Sequence, residues 1–474
     1  MNKVHFIGIA GIGMSATAVL MKEKGWYVTG SDEKIYSPSS DYLFDHKIPV
    51  AIGYKKENIP ADADLFIIGR NAKLDPQVNG EVKAALATGK PIKSFPEIIG
   101  DLAKDTENIV VAGSYGKSTC AALLTWILKQ SGKNPNFFIG AMPANFKETA
   151  HIGEKNNLFI IEGDEYPTSH TDPRPKFAHF RPHDALLTSA EHDHFNVYHT
   201  IEAYLEPFKH LLAESSKDGI IVAGIDNPHV EELIVPYKNR VCAYGLGGNS
   251  RWSAKNIKYG EKTSFDLVRQ EGEKVEKIIE LSTQLLGKHN IENIVGVSAL
   301  ILEKDLATPE EIKSAIASFK GLYRRLDRKD KNSSVPVYEG FGSSYEKARS
   351  AIDAMKIHFP DKRLVLIFEP HTFSWRNRET ISWYDDVFDG ADKIFVFEPY
   401  GQGAQTHQQL SHEEIIERIE KAGFNVSPFD DSQNSLNMIS SYLRENDVVL
   451  ILTSGDMGGM IKTIVKNIEK KFVL

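Results

Sequence analysis

Short β-branched runs alternate with amphipathic stretches almost from end to end of this 474-residue chain, and that alternation most limits its fold. Two strands joined through a helix cannot meet in a tight turn. The crossover makes them parallel and places helices on the sheet faces. Three α/β blocks emerge. The first holds "KVHFIGI", "GWYVTGSD" and "ADLFIIG", with the helical "GMSATAVLMKEKG" between the first pair. The second starts near Asp105 with "NIVVAG" and runs through "NNLFIIEGDE", "DALLTSA" and "DGIIVAG". Between Trp252 and Thr283 a charge-rich alternation reads as antiparallel hairpins, and "GKHNIENIVGVSALIL" then reads as a helix. The third block starts near Tyr323 and contains "VPVYEG", "RLVLIFEP", "DKIFVFEP" and "NDVVLILTSG". The expected architecture is α/β in three domains. These are a Rossmann-like N-terminal domain (1–104), a central P-loop ATPase-type α/β domain (105–322) and a C-terminal Rossmann-like α/β domain (323–474).

Composition narrows the partners. A formal charge of −8 gives no basic footprint, so nucleic acid is not expected as one. Cys120 and Cys242 are the only cysteines, too few for a disulfide framework. The start "MNKVHFIGIAGIGMS" lacks the marks of a secretory signal, and no apolar run is long enough to span a membrane. A cytoplasmic address without membrane attachment is the expectation.

Two glycine loops follow strands and open helices, where unpaired N–H groups attract anions. Gly8-Ile-Ala-Gly11-Ile-Gly13 nearly reverses the glycine order of dinucleotide enzymes, and Asp32 ends the second strand, where an acid can accept from a ribose hydroxyl. A nicotinamide dehydrogenase is the competing reading, and a ligand-free strand–helix turn the simplest. The second loop, "VVAGSYGKSTCA", has the outline of a phosphate loop, yet its first glycine is Gly113 where the usual spacing wants one at 111. Beyond the strand of "FIIEGDEYPTSH" lie Glu162, Asp164 and Glu165, hard oxygen donors suited to magnesium or to plain solvation. "TSAEHDHFNVY" offers His192 and His194; imidazole suits zinc better than magnesium, so a zinc hydrolase is the alternative reading, and unliganded surface histidines the plainer one. Asn290 and Asn293 share one helix face, where two amides can read an adenine edge or simply cap the helix. Arg324, Arg325 and Arg328 concentrate cations at the second boundary.

In that order, these elements resemble the Mur ligase family. Its phosphate loop has the short form G-T-x-G-K-[ST]-T, which Gly113-Ser-Tyr-Gly-Lys-Ser-Thr119 matches closely. "HFIGIAGIGMSATA" resembles the start of the branch acting on UDP-N-acetylmuramate. Within it, "IGAMPANF", "EGDEYPTSHTDPRPKFAHF" and "SGDMGGM" resemble the murein-peptide ligases. The resemblance implies an ATP-dependent ligase, with ATP and Mg2+. It would join the carboxylate of UDP-N-acetylmuramate to the amine of a murein tripeptide through an acyl phosphate. The alternatives are L-alanine ligation, or a nucleotide-binding relative without ligase activity.

By position, the resemblance puts UDP-sugar at Gly8, Gly11, Gly13 and Asp32. ATP falls to Gly113, Gly116, Lys117, Ser118, Thr119, Asn290, Asn293 and Arg325, and the metal to Ser118, Glu162 and His194. Lys117, His194, Lys209 and Arg325 are the catalytic candidates. Lys209 lies fifteen positions after His194, the spacing at which several members carry a carbamylated lysine. The third domain departs from the branch. Its Asp-Asp-[Phe/Tyr]-[Ala/Gly]-His-His-Pro stretch is replaced by Glu339-Gly-Phe-Gly-Ser-Ser-Tyr345, and Trp375 stands where the alanine ligases tend to have arginine.

Overall fold

The structure is a computed structural model that describes residues 1–35, 39–153, 157–194, 197–398 and 409–474. Three sheets follow the three blocks. The first, in the order β3-β2-β1-β4-β5, is built from β1 (Lys3–Ile7), β2 (Tyr27–Asp32), β3 (Val50–Ile52), β4 (Leu65–Ile68) and β5 (Ile92–Lys93), all parallel. Its chain leaves β1 toward one side and returns on the other, so the first glycine loop lies at the switch point where open α/β sheets bind ligands.

The second sheet contains β6 (Glu107–Ala112), β7 (Asn136–Phe138), β8 (Ala150–His151), β9 (Leu158–Glu162), β10 (Asp184–Leu187), β11 (Ile221–Gly224), β12 (Val241–Tyr244), β13 (Trp252–Lys258), β14 (Thr263–Glu271) and β15 (Lys274–Thr283). Their order is β15-β14-β13-β12-β11-β10-β6-β9-β7-β8. Strand β6 lies between β9 and β10, so the phosphate-loop segment also leaves a switch point. A two-residue turn, Gly272-Glu273, joins the neighbouring β14 and β15 as a hairpin, as the charge-rich alternation requires.

The third sheet runs β16-β17-β21-β18-β19-β20, from β16 (Arg325–Arg328), β17 (Val337–Phe341), β18 (Arg363–Phe368), β19 (Lys393–Phe397), β20 (Val426–Phe429) and β21 (Asp447–Thr453). Among the described strands of this sheet, only β16 is antiparallel to its neighbour.

The helix Ile12–Glu23 shows why the first two sheets act together. Every residue from Met14 to Met21 is buried. Met14, Ala18, Val19 and Met21 enter the core of the first sheet, while Ala16 and Leu20 enter the core of the second. A helix with apolar residues on all sides is one with partners on all sides. Residues 1–256, 265–281 and 291–319 accordingly form one compact unit. The other contains 320–474 together with 257–264 and 282–290. Among the described residues, no helix is long and apolar enough to cross a membrane.

Candidate active site

Strand β6 ends at Ala112, and the helix Lys117–Gln130 begins five residues later. The next strand over, β10, braces the short loop between them. Ser114 N–H donates to Ser189 O (3.1 Å) and Tyr115 N–H to Ser189 Oγ (3.0 Å), while the Thr188 hydroxyl donates to Tyr115 O. These bonds hold a turn that the longer loop would stabilise within itself. Gly116, at the helix N-cap, has φ +83°, and a Cβ there would lie 2.5 Å from Asn293 Oδ1. Only glycine fits.

Lys117 curls back over the loop. Its Nζ donates to Gly113 O and lies 2.9 Å from Glu165 Oε2. Burial alone would lower its pKa, but the Glu165 and Asp164 carboxylates outweigh that and hold the ammonium above the ordinary lysine value. Glu165 is fully buried, and besides Lys117 it accepts from the Tyr204 hydroxyl (3.0 Å) and lies 3.3 Å from His194 Nε2. Against a desolvation that would raise it, the Lys117 charge keeps its pKa below the ordinary value.

One residue further along the helix, Ser118 Oγ donates to Glu162 Oε1 (2.7 Å), and Gly140 N–H donates to Glu162 Oε2 (2.6 Å). Burial pushes the Glu162 carboxyl up despite both bonds. Asp164 is held down to about 2: burial opposes ionisation there, but Lys176 and Lys117 overcome it. Asp164, Glu165 and His194 bring ligand atoms within 4.8 Å of one another. Oxygen donors with a serine hydroxyl fit magnesium, and a cation beside Ser118 would favour the ionised Glu162 carboxylate that burial disfavours.

The expected metal set is therefore split. Ser118 meets Glu162, whereas His194 meets Asp164 and Glu165, two acids that the sequence displayed only as part of an acidic run. His192 is occupied elsewhere, its Nε2 2.8 Å from Tyr198 O. Lys209 is not brought into this cluster: its side chain is exposed and its Nζ pairs with Glu206 Oε1 (2.7 Å) on the same helix. Spacing along the chain gave it no inward direction.

In the first sheet, Gly8 has φ +85°, and a Cβ would strike Leu74 Cδ1 at 2.6 Å. Gly11 caps the helix Ile12–Glu23, and Gly13 packs against Phe95. Asp32 turns inward: its carboxylate accepts from Ala10 N–H (2.8 Å) and the Tyr54 hydroxyl (3.0 Å), so it shapes the loop before it meets any ribose. A cavity of about 160 Å³ runs from Gly13 past Phe95, Phe138, Gly140 and Phe180 to Glu162, Asp164 and Lys176.

Thr119 lies in the first turn of the phosphate-loop helix. Asn293 sits beside that loop, its Oδ1 3.3 Å from Cys120 Sγ, and Asn290 donates to Leu286 O (2.7 Å) one turn back. Arg325, in the second unit, lies 5.1 Å above the Phe341 ring. Nearby, Glu339 is buried and paired with Arg324 (3.1 Å) and Lys329 (2.8 Å), and Trp375 is buried with its Nε1 donating to Gly342 O (2.7 Å). Thr188, Ser189, Tyr166 and Lys176 lie in stretches that the sequence singled out for other residues, and nothing there marked them individually.

Residues 3–107 match the family described as "Mur ligase family, catalytic domain", and residues 111–301 match "Mur ligase middle domain". A UDP-N-acetylmuramate–L-alanine ligase of Sorangium cellulosum is 28% identical over 99% of this chain and 97% of its own. The Escherichia coli UDP-N-acetylmuramate–L-alanyl-γ-D-glutamyl-meso-2,6-diaminoheptandioate ligase is also 28% identical, over 99% of both. In fold, the UDP-N-acetylmuramate–alanine ligase of Thermotoga maritima superposes with a TM-score of 0.80 at 22% identity, covering 99% of this chain and 100% of the other.

Proposed function

The chain belongs to the Mur ligase family of ATP-dependent ligases, and we propose that it joins the lactoyl carboxylate of UDP-N-acetylmuramate to the amine of L-alanyl-γ-D-glutamyl-meso-diaminopimelate, as a cytoplasmic step in cell-wall recycling. The carrying observation is the cavity that joins the Gly13 helix start to Glu162 beside Ser118. A sugar diphosphate on the first loop and ATP on the second would bring carboxylate and γ-phosphate together there. In this reading residues 1–104 hold the UDP-sugar, 105–322 the ATP, and 323–474 the amine.

A carboxylate is a poor electrophile. Phosphorylation converts it to an acyl phosphate, which the amine attacks with loss of phosphate. Lys117 would neutralise the transferring phosphoryl group, and the Gly116 helix start would orient it. Ser118 and Glu162, with His194 and its acidic neighbours, would hold magnesium, which when bound screens the phosphate charge.

L-Alanine ligation is the second reading, favoured by the equal identity to relatives of that name. Phosphate release with ATP, magnesium and UDP-N-acetylmuramate separates the two. Dependence on tripeptide supports the recycling ligase, and dependence on alanine the other. If ATP binds but neither acceptor triggers release, the replaced third-domain residues have ended ligation and the protein only binds nucleotide.

A further inference from the structure

Among the described residues, Lys176 is the one cation lining the cavity between the two loops. Its backbone N–H donates to Tyr166 O (3.1 Å), which fixes the residue against the acidic segment. The ammonium hydrogen-bonds to Asp164, and lies 5.5 Å from the Phe95 ring centre and 5.7 Å from that of Tyr166. Arg70 covers the same tyrosine ring at 4.7 Å, and that ring meets His194 edge-on at 5.0 Å. The side chain is 18% exposed. An ammonium carries three donors, and aromatic rings stabilise the charge without using any of them. One donor is spent on Asp164, and the others are available to a ligand in the cavity.

Phe95, Phe138, Phe180, Gly13 and Gly140 make the rest of the described wall, so an anion in this cavity finds its cationic partner in Lys176. We propose that Lys176 is the specificity-determining residue that binds the lactoyl carboxylate of the sugar substrate and holds it beside Glu162 for phosphorylation. The inference rests on the sugar-acid ligase reading above. It adds a residue by which that site distinguishes an acid-bearing nucleotide sugar from a neutral one. Asp164 serves as a positioning residue, tethering the ammonium at the cavity wall.

Calorimetric titration with UDP-N-acetylmuramate and with UDP-N-acetylglucosamine, which lacks the lactoyl acid, tests it. The wild-type protein should prefer the acid. K176M should lose about tenfold or more in affinity for the acid, the factor expected of one charge-assisted hydrogen bond, and leave the neutral sugar within about twofold. K176R should restore most of the preference. If K176M keeps the full preference, the assignment of Lys176 is overturned and the ligase reading stands. If K176M loses both ligands equally, the lysine only supports the fold, and the assignment fails. A wild-type protein with no preference overturns the ligase reading, and this inference with it.

Discussion

The ammonium of Lys117 lies between the carbonyl of Gly113 and the buried carboxylate of Glu165, so the charge proposed to meet a phosphate also neutralises an acid in the core. K117M should therefore act twice. Phosphate release should fall by about 10²–10³, the usual effect of removing one group that stabilises developing charge. Stability should fall by about 3 kcal/mol, the low end for a broken buried pair, because Tyr204 and His194 still face Glu165. Denaturant titration checks the second effect, and K117M/E165Q should recover most of the stability without recovering activity. At Gly116 the test is steric. G116A places a methyl against Asn293 Oδ1 on a left-handed backbone, at a cost of about 1–3 kcal/mol. The rise in melting temperature caused by ATP should vanish. The strand–loop–helix placement of this glycine and lysine was legible in the sequence because loop chemistry is local. The partner Glu165 was legible only as one acid among three, since nothing in a run of acids says which one faces inward.

At the scale of elements, Glu81 ties the first sheet to its neighbouring loop. This fully buried carboxylate accepts from Ser31 Oγ (2.5 Å), Lys55 N–H (2.8 Å) and Asn58 Nδ2 (2.9 Å), with His5 Nε2 at 3.2 Å. Desolvation alone would raise its pKa, but these bonds, that from His5 foremost, bring it below the ordinary 4.5. A depressed acid stabilises the fold fully above its unfolded pKa, and that contribution is lost as pH falls through the folded value. E81Q should destabilise the protein by about 1–3 kcal/mol at neutral pH and flatten the loss of melting temperature below pH 4.5. Long strands such as β18 and β21 could be read from their apolar runs. Val50–Ile52, Ile92–Lys93 and Ala150–His151 could not, because two or three residues carry no period. The helix Ile12–Glu23 was visible as a helix, but its two-sided burial depends on a second sheet that begins nearly a hundred residues later.

For the whole molecule, the segments that complete the C-terminal unit matter most. His358 donates from Nδ1 to Gly260 O (2.7 Å) and accepts at Nε2 from Gly287 N–H (2.8 Å), and Leu286 enters the core with Tyr338, Met355 and Phe359. Residues 320–474 expressed alone would leave both His358 nitrogens without these partners and that core open. Circular dichroism should then show a broad, non-cooperative melt, and a sharp two-state transition would mean that 257–264 and 282–290 are dispensable. What the sequence determined by itself was everything with a short period: parallel α/β sheets, the two glycine loops at strand ends, and the short G-S-Y-G-K-S-T turn. Only the tertiary structure decided which groups meet. It paired Lys117 with Glu165, 48 positions away, exposed Lys209, split the candidate metal ligands into two groups, and set Lys176 at the cavity wall. The physical reason is range. Backbone propensity and periodicity are set by near neighbours, whereas the partner of a buried charge is set by packing between elements far apart in the chain.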